Sequence, residues 1–291
     1  GAHPDDESSM TGALASETID GGARGALVFA TRGEGGGNAI GKQLGPSLGA
    51  LREAEVRRAA SFYGVELVYF LDKTDFFYTM SARAAFDVWG HDDSLARLVR
   101  LVRLLQPEII VTMWPGPGTH GMHQAAARLA TEAFSAAADP QAFPDQITAE
   151  SLEPWQTRKL YYTGNRPGAF GISNADISPS RFMSYAEIKS IALRNYRSQA
   201  FDRRDSLLRT GMEWFLLVKS AVAVTGPSVA LLDGVKLPVQ RGISMAPRKP
   251  QALAAIQILP RRDISEFRTW AAEHDVAWAA GLLPAVITMA V

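Results

Sequence analysis

Three side chains near the start of the chain combine one imidazole with two carboxylates. His3, Asp5 and Asp6 stand in the string Ala-His-Pro-Asp-Asp-Glu, which occupies residues 2–7. A histidine together with a carboxylate suits Zn²⁺ or another divalent first-row metal. The second carboxylate can then remain outside the coordination sphere and act as a base. The other interpretation is a turn at a helix start, because Pro-Asp-Asp is followed by Ser8, a residue that favours helix N-caps.

A second pair of imidazoles stands further along the chain, in His-Gly-Met-His at residues 120–123. The spacing of three lets both rings face one side if His123 lies at the start of a helix. Pairs of surface histidines are common in proteins. However, the chain has only five histidines, and three of them fall in these two clusters. The pair therefore qualifies as a second candidate group of metal ligands.

Together the two clusters offer three ligands for one cation, namely His3, Asp6 and His123. Three protein ligands leave one position open for water, as in catalytic zinc sites. A water bound to zinc in such a site has a pKa of about 7. Asp5 then remains as a base, and His120 as an acid or as a partner for an oxyanion.

Both clusters must follow strands if they are to meet at one edge of a sheet. Apolar runs typical of buried strands occur at residues 24–30, 65–71 and 108–113. Helical spacing or helical propensity occurs at residues 51–62, 93–105 and 124–138. This alternation predicts a mostly parallel α/β sheet with helices on both faces, in which ligands bind at the carboxyl ends of the strands. Residues 8–20 are typical of a helix that follows a strand, so we expect a first strand to precede Gly1.

The pattern is looser after about residue 140. We predict one more strand at residues 159–163 and helices at residues 185–199 and 204–222. We place a domain boundary at residue 225. Residues 226–291, with their short apolar runs and prolines, are predicted to be an extension or the start of a further domain.

Composition excludes several classes of protein. The chain has 291 residues with 30 basic and 30 acidic side chains, so it lacks the basic excess typical of nucleic-acid binders. It contains no cysteine, which excludes a thiol nucleophile, a thiolate metal site and any disulfide. No apolar run reaches the roughly 18 residues of a membrane span. Compartment, cytoplasmic or exported, and oligomeric state stay open.

The two motifs resemble those of the PIG-L/LmbE family of zinc-dependent N-deacetylases, and the chain is most similar to its larger bacterial members. The resemblance covers roughly residues 1–225. It includes four further strings: Thr-Arg-Gly-Glu-Gly-Gly-Gly-Asn at 31–38, Leu-Arg-Glu-Ala-Glu at 51–55, Phe-Leu-Asp-Lys-Thr-Asp at 70–75 and Tyr-Arg-Ser-Gln at 196–199. It implies a Rossmann-like fold and the removal of an acetyl group from an N-acetylglucosamine-like sugar or a related conjugate.

The resemblance also implies roles for single residues. His3, Asp6 and His123 would hold Zn²⁺, Asp5 would be the general base, and His120 the acid or oxyanion stabiliser. Two further residues, Arg52 and Asp75, fall where the family places residues that hold sugar hydroxyls. We add Trp114 as a candidate stacking surface for a sugar, since it begins the loop that leads to His120.

The chain departs from the family pattern in two places. Many members have Pro-Asp between the two histidines, where this chain has Gly121 and Met122. Some members carry a tyrosine at the position of Gly118, where it helps to polarise the carbonyl. That assistance must here come from His120, from the metal or from elsewhere. The glycine-rich residues 33–38 fail the GxGxxG pattern at Asn38, so we interpret them as a loop at the pocket rim.

Two other functions stay open at this point. Aspartates at strand ends also bind Mg²⁺ or Mn²⁺, so the chain could be a metal-dependent phosphoesterase. A two-metal phosphoesterase would need more carboxylates near the histidines than the sequence offers. The chain could also be a binding protein that holds a glycan without cleaving it, although the presence of Asp5 and His120 argues against this.

Overall fold

A computed structural model describes residues 1–204, 209–224 and 226–235. Its α-helices are α1 Thr11–Ala15, α2 Pro46–Phe62, α3 Ala82–Trp89, α4 His91–Leu105, α5 Gly121–Ala136, α6 Asp145–Thr148 and α7 Tyr185–Leu193. A π-helical turn, Ser16–Asp20, continues α1, and 3₁₀ turns occupy Asp6–Ser9, Arg197–Gln199 and Phe201–Arg203. The strands are β1 Ala26–Phe29, β2 Leu67–Phe70, β3 Ile109–Thr112, β4 Lys159–Thr163, β5 Phe170–Ser173 and β6 Met212–Ser220.

The first sheet places the amino-terminal motif beside the carboxyl end of β1. Strands β1 and β2 run parallel, with Phe29 opposite Phe70. On the other edge of β1, the Gly1 nitrogen donates to the Val28 carbonyl at 2.8 Å. The Ala30 N–H in turn donates to the Gly1 carbonyl at 3.0 Å. His3 therefore leaves the sheet at the edge where parallel strands present their carboxyl ends.

The second sheet has the order β3-β4-β6-β5 and is mixed. Strands β3 and β4 are parallel, whereas β6 pairs antiparallel with both β4 and β5. The expectation of a mostly parallel sheet thus holds for β1/β2 and β3/β4 but not for the β4-β6-β5 half. The helix predicted at residues 204–222 is wrong, because its second half is strand β6. Glu213 and Phe215 are buried there while Met212 and Val218 are exposed.

Helix packing fixes the elements that lead into the site. Helices α2 and α7 cover the first sheet through a core that includes Phe29, Val56 and Tyr196. Helices α3 and α5 meet around a second core that contains Ala2, Trp89 and Met122. The carboxyl end of β1, where Ala2 lies, therefore packs directly against the start of α5.

Residues just after the expected boundary at 225 pack with the second sheet. Leu231 is buried in the cluster that contains Tyr161 and Phe215. Its carbonyl accepts a hydrogen bond of 2.9 Å from the Tyr161 hydroxyl. Residues 236–291, which form most of the expected extension, lie outside the described residues. Within the described residues, no helix combines the length and the apolar character needed to cross a membrane.

Candidate metal centre

Asp6 is oriented by the backbone of its own motif. Its Oδ2 accepts hydrogen bonds from the N–H groups of Ala2 at 2.6 Å and His3 at 2.9 Å. The Oδ1 atom lies 3.2 Å from Nε2 of His123. The hydrogen bonds to Oδ2 thus fix the side chain, and Oδ1 faces the histidines, where it could coordinate a metal ion.

Helix α5 begins at the second motif, where the side chain of His120 is the N-cap. Its Nδ1 accepts a hydrogen bond of 3.1 Å from the Met122 N–H. The Gly121 N–H donates to the Thr79 carbonyl at 2.6 Å. A Cβ at position 121 would stand 2.5 Å from the Ser81 carbonyl oxygen. The close approach of α5 to this backbone accounts for Gly121, a residue that departs from the pattern of many PIG-L/LmbE members.

The three predicted metal ligands converge. One ligand atom from each of His3, Asp6 and His123 lies within 4.8 Å of the other two. Nδ1 of His3 and Nε2 of His123 are 3.2 Å apart. Two imidazole nitrogens and a carboxylate oxygen are a ligand set that suits Zn²⁺ and other divalent first-row metals. Among the residues with described structure, this is the group that could hold a metal ion.

Asp75, which the resemblance placed among the residues that hold sugar hydroxyls, lies beside the predicted metal ligand His3. Its Oδ1 is 3.4 Å from Nε2 of His3, on the ring nitrogen away from His123. Its Oδ2 accepts a hydrogen bond of 3.0 Å from the Gly35 N–H. A carboxylate on the second nitrogen of a ligating histidine fixes the ring and its tautomer. Both oxygens therefore have partners inside the protein.

Asp5 has a backbone conformation that favours glycine, with φ at 110°. Its N–H donates to Oε2 of Glu7 at 3.2 Å, which helps to hold this conformation. The side chain lines the same pocket as Asp6 and His123. Burial raises the pKa of the Asp5 carboxyl well above its usual value, and the charges of Asp6 and Glu7 add to this effect.

His120 lies beside the three ligands, as expected. Its ring centroid is 5.5 Å from that of His3 and 5.3 Å from that of His123. Burial lowers the pKa of His120 to about 4, and the two neighbouring imidazoles contribute in the same direction. Because Nδ1 accepts a hydrogen bond, the proton of the neutral ring stands on Nε2. The ring of Tyr78 meets His120 edge to face at 4.3 Å.

Arg52 is enclosed by the glycine-rich run. The side chain is buried on α2, and Nη2 donates to the Gly37 carbonyl at 2.9 Å. A Cβ at Gly33 or at Gly36 would come within 2.6 Å of its guanidinium nitrogens. Residues 33–38, which we interpreted as a loop at the pocket rim, thus wrap this arginine. Arg52 is not among the residues that line the pocket described next.

An open pocket of about 480 Å³ adjoins the metal ligands. Its walls are formed by Asp5, Asp6, Ser8, Ser9, Met113, Trp114, Thr119, His123, Thr163, Arg166, Phe201 and Arg204. Trp114 is in the pocket, as expected. However, the guanidinium of Arg166 stands 3.7 Å from the centre of the indole. Arg166 therefore covers one face of the ring that was expected to stack on a sugar.

Comparison with known families identifies the first part of the chain. The family model PIG-L, described as GlcNAc-PI de-N-acetylase, matches residues 1–134. Residues 1–134, just under half of the chain, are therefore similar to the PIG-L family. The matched residues include both motifs of the candidate metal centre and the whole glycine-rich run around Arg52.

A curated relative supports the same family. The chain is 32% identical over 209 residues to a protein of Thermobispora bispora named 1D-myo-inositol 2-acetamido-2-deoxy-alpha-D-glucopyranoside deacetylase. The match covers 64% of this chain and 66% of the relative, so the chain spans just under two thirds of that relative's length.

Two solved structures share the fold of the PIG-L domain. One is the N,N'-diacetylchitobiose deacetylase of Pyrococcus horikoshii, with a TM-score of 0.52, 21% identity and coverage of 70% of this chain and 69% of the other. The second is GalB of Pseudomonas putida, titled a 4-carboxy-2-hydroxymuconate hydratase, with a TM-score of 0.54, 19% identity and coverage of 77% and 96%. The same fold therefore carries different named reactions, and the chemistry must be argued from the site.

A buried hydrogen-bond network behind the PIG-L motif was not predicted. Glu7 is 1% exposed, and its Oε1 accepts hydrogen bonds from the hydroxyls of Tyr196 and, at 3.2 Å, Tyr63. Burial raises the pKa of Glu7. The signal for this network was already in the sequence, because Glu7 ends the first motif and Tyr196 begins another string of the resemblance.

Proposed function

We propose that this chain is a Zn²⁺-dependent hydrolase that removes the N-acetyl group of an N-acetylglucosamine-like sugar or glycoconjugate. The observation that carries the proposal is the convergence of His3, Asp6 and His123 beside Asp5 at one open pocket. The deacetylase names of the relatives support the class of substrate. We further propose a Rossmann-like organisation for the domain and its end near residue 225.

The ligand set fits Zn²⁺ with a free coordination position. Two imidazole nitrogens and Oδ1 of Asp6 would hold the ion, while Oδ2 of Asp6 is already occupied by two backbone N–H groups. The chemistry supplied by zinc in such a site is a water of lowered pKa and a Lewis acid for the acyl carbonyl. Asp75 would keep Nδ1 of His3 free for the ion by accepting the proton on Nε2.

In the proposed reaction, Asp5 takes a proton from the attacking water. The water oxygen bonds to the acyl carbon, and the carbonyl oxygen gains the negative charge. The carbonyl then re-forms as the C–N bond breaks, and protonated Asp5 gives its proton to the leaving nitrogen. The remaining proton of the acetic acid passes to the amine, so that acetate and a protonated amino sugar result. The raised pKa of Asp5 suits a group that must accept a proton and give it back.

His120 is proposed to stabilise the oxyanion as a neutral donor. Its Nδ1 is occupied by the Met122 N–H, which leaves the N–H on Nε2 for the oxygen of the substrate. A hydrogen-bond donor placed at a developing oxyanion contributes substantially to such reactions. This assigns His120 the second of the two roles that the sequence left open.

The proposal gives two of the expected substrate-binding residues other roles. We propose that Asp75 orients His3, and that Trp114 supports Arg166 at the pocket wall. Arg52 has no contact in the structure that assigns it to the substrate. Its charge does favour the ionised form of Asp5, against the larger effect of burial.

Metal content and acetate release test the proposal. We expect about one Zn²⁺ per chain by elemental analysis, and acetate release from methyl N-acetylglucosaminide. His123→Ala should lose the metal. The matched control is His91→Ala, because His91 pairs with Asp92 and Glu132 away from this site. Full zinc occupancy in His123→Ala, or zinc-loaded protein that releases no acetate from any N-acetylated glycoside, would contradict the proposal.

The phosphoesterase alternative is less well supported. A two-metal site needs a second group of ligands near the first. In residues 1–204, 209–224 and 226–235, the metal-ligating side chains form the single group around His3. Phosphatase turnover with Mn²⁺ and none on N-acetyl sugars would favour it. Tight glycan binding without acetate release would instead favour the binding protein.

A further inference from the structure

One peptide group, between Pro4 and Asp5, is held at both of its polar atoms. The Asp5 N–H donates to Oε2 of Glu7 at 3.2 Å. The Pro4 carbonyl accepts a hydrogen bond of 3.0 Å from Nε2 of Gln199, a residue that lies 195 positions further along the chain. Because both atoms are held, the plane of this peptide cannot rotate without breaking a hydrogen bond.

The turn that carries Gln199 is anchored to helix α2. Gln199 is the last residue of the 3₁₀ turn Arg197–Gln199. The residue before it, Ser198, donates from its N–H to Oε1 of Glu55 at 2.7 Å and from its hydroxyl to Oε2 at 2.6 Å. Glu55 is fully buried on α2. Gln199 therefore reaches the first motif from a fixed support.

The backbone of Asp5 needs such support. Its φ of 110° is one that residues with a side chain rarely adopt, and such a conformation persists only where the surroundings hold it. The orientation of the preceding peptide sets this angle, and Glu7 and Gln199 hold that peptide. The Asp5 side chain lines the pocket together with Asp6 and His123. The direction in which it enters the pocket therefore depends on both hydrogen bonds.

The predicted metal ligands are oriented by contacts that do not involve Gln199. Oδ2 of Asp6 accepts hydrogen bonds from two backbone N–H groups of its own motif. A carboxylate stands 3.4 Å from Nε2 of His3, and His123 lies on α5. Gln199 is also not among the residues that line the pocket. Loss of its amide should therefore affect Asp5 and leave the metal ligands and the pocket wall in place.

We propose that Gln199 is a positioning residue for Asp5, and that it acts through the Pro4 carbonyl. This rests on the proposed function, because it takes Asp5 as the base of the deacetylase. It also gives a part in the reaction to a residue outside residues 1–134, which match the PIG-L family. A displacement of about 1 Å in a reacting group can lower a rate by about 100-fold, so the loss of this hydrogen bond should be visible in kcat.

The test removes the donor and keeps the size of the side chain. In zinc-loaded Gln199→Met, acting on methyl N-acetylglucosaminide, we expect kcat to fall about tenfold or more, with KM within about twofold of wild type and zinc content unchanged. Gln199→Glu has the shape of glutamine without its N–H groups, and it keeps the test decisive if Gln199→Met does not fold. The control is Gln156→Met, because the Gln156 amide also donates to backbone carbonyls but does not line the pocket. Its kcat should equal that of wild type.

A double-mutant cycle separates positioning from a general structural role. Gln199→Met should lower kcat in the wild-type background and have no further effect in Asp5→Asn, because the group that it positions is already lost. An equal fold-loss of kcat in both backgrounds, or wild-type kcat in Gln199→Met, would overturn the positioning role and leave the deacetylase intact.

Crystal structures of the wild type and of Gln199→Met provide a readout that needs no activity. In the variant we expect the peptide between Pro4 and Asp5 to rotate and φ at Asp5 to leave its value of 110°. If the zinc-loaded wild type releases no acetate, the deacetylase is contradicted, and these structures alone decide on the positioning role. The same Asp5 conformation in both structures would then overturn that role as well.

Discussion

The two halves of the described chain contribute to one pocket in different ways. Residues 1–134, which match the PIG-L family, supply Asp5 and Asp6 at the start of a 3₁₀ turn and His123 in the first turn of α5. The later half supplies Arg166 from the loop between β4 and β5, and Arg204 from the residue that follows a 3₁₀ turn. The residues proposed for the chemistry therefore lie in the half that matches a known family, whereas the pocket wall also includes residues beyond that match.

The largest effect is expected from a change confined to the first half. Asp5→Asn should lower kcat by about 10²–10⁴-fold, because the proposed base and proton donor is lost. Zinc content should remain, since Asp6 and the two histidines are unchanged. The matched control is Asp87→Asn on α3, an exposed aspartate, which should leave kcat at the wild-type value. Full activity of Asp5→Asn would remove Asp5 from the mechanism.

A second prediction concerns a contact that joins the two halves. Glu213 on β6 is buried, and it accepts hydrogen bonds from Gly12 N–H at 3.1 Å and Ala13 N–H at 2.7 Å, at the amino end of α1. Lys189 of α7 donates to the same carboxylate at 2.7 Å. Glu213→Gln should lower the free energy of unfolding by about 3 kcal/mol, because it removes a charge that faces a helix N-terminus and a lysine.

Denaturant unfolding measures this change. Glu66→Gln is the control, since Glu66 is an exposed glutamate and its replacement should alter the unfolding free energy by less than about 0.5 kcal/mol. If Glu213→Gln behaves like the control, the two halves are joined by apolar packing and not by this buried carboxylate.

The sequence could bring His3, Asp6 and His123 together as candidate metal ligands because each lies close to the end of a local element. His3 and Asp6 lie where the chain leaves the edge of β1, and His123 lies in the first turn of α5, so the ends of two local elements were enough to place them. Asp75 was harder to interpret. Its contact with His3 joins two distant loops, and no spacing in the sequence shows which of its neighbours a carboxylate will face.

The second sheet contains a strand that the sequence pattern did not predict. Apolar residues in the run Trp-Phe-Leu-Leu-Val at 214–218 fit a helix face as well as a strand, and periodicity alone does not separate the two. These residues form a strand because they pair with β4 on one side and with β5 on the other. Arg166 lies in the loop between β4 and β5, so its place at the pocket depends on the same pairing.

A smaller effect is expected where the later half supports the first motif. Tyr196→Phe removes a hydroxyl that donates to buried Glu7, whose other oxygen accepts the Asp5 N–H. The free energy of unfolding should fall by about 2 kcal/mol, because a buried carboxylate loses a donor. Tyr69→Phe is the control, since the Tyr69 hydroxyl has no hydrogen bond among the described residues. Equal stability of the two variants would show that Glu7 is satisfied without Tyr196.

The smallest effect is expected within the first half, at the glycine run. A Cβ at Gly36 would lie 2.6 Å from Nη2 and 2.8 Å from Nη1 of Arg52, whereas a Cβ at Gly37 would meet nothing within 4 Å. Gly36→Ala should therefore cost about 1 kcal/mol of unfolding free energy, and Gly37→Ala should cost less. Neither glycine has a positive φ, so a difference in stability between the two variants would reflect the space available for a Cβ and not backbone strain. Equal unfolding free energies would mean that the Arg52 guanidinium can move aside to accommodate the added Cβ.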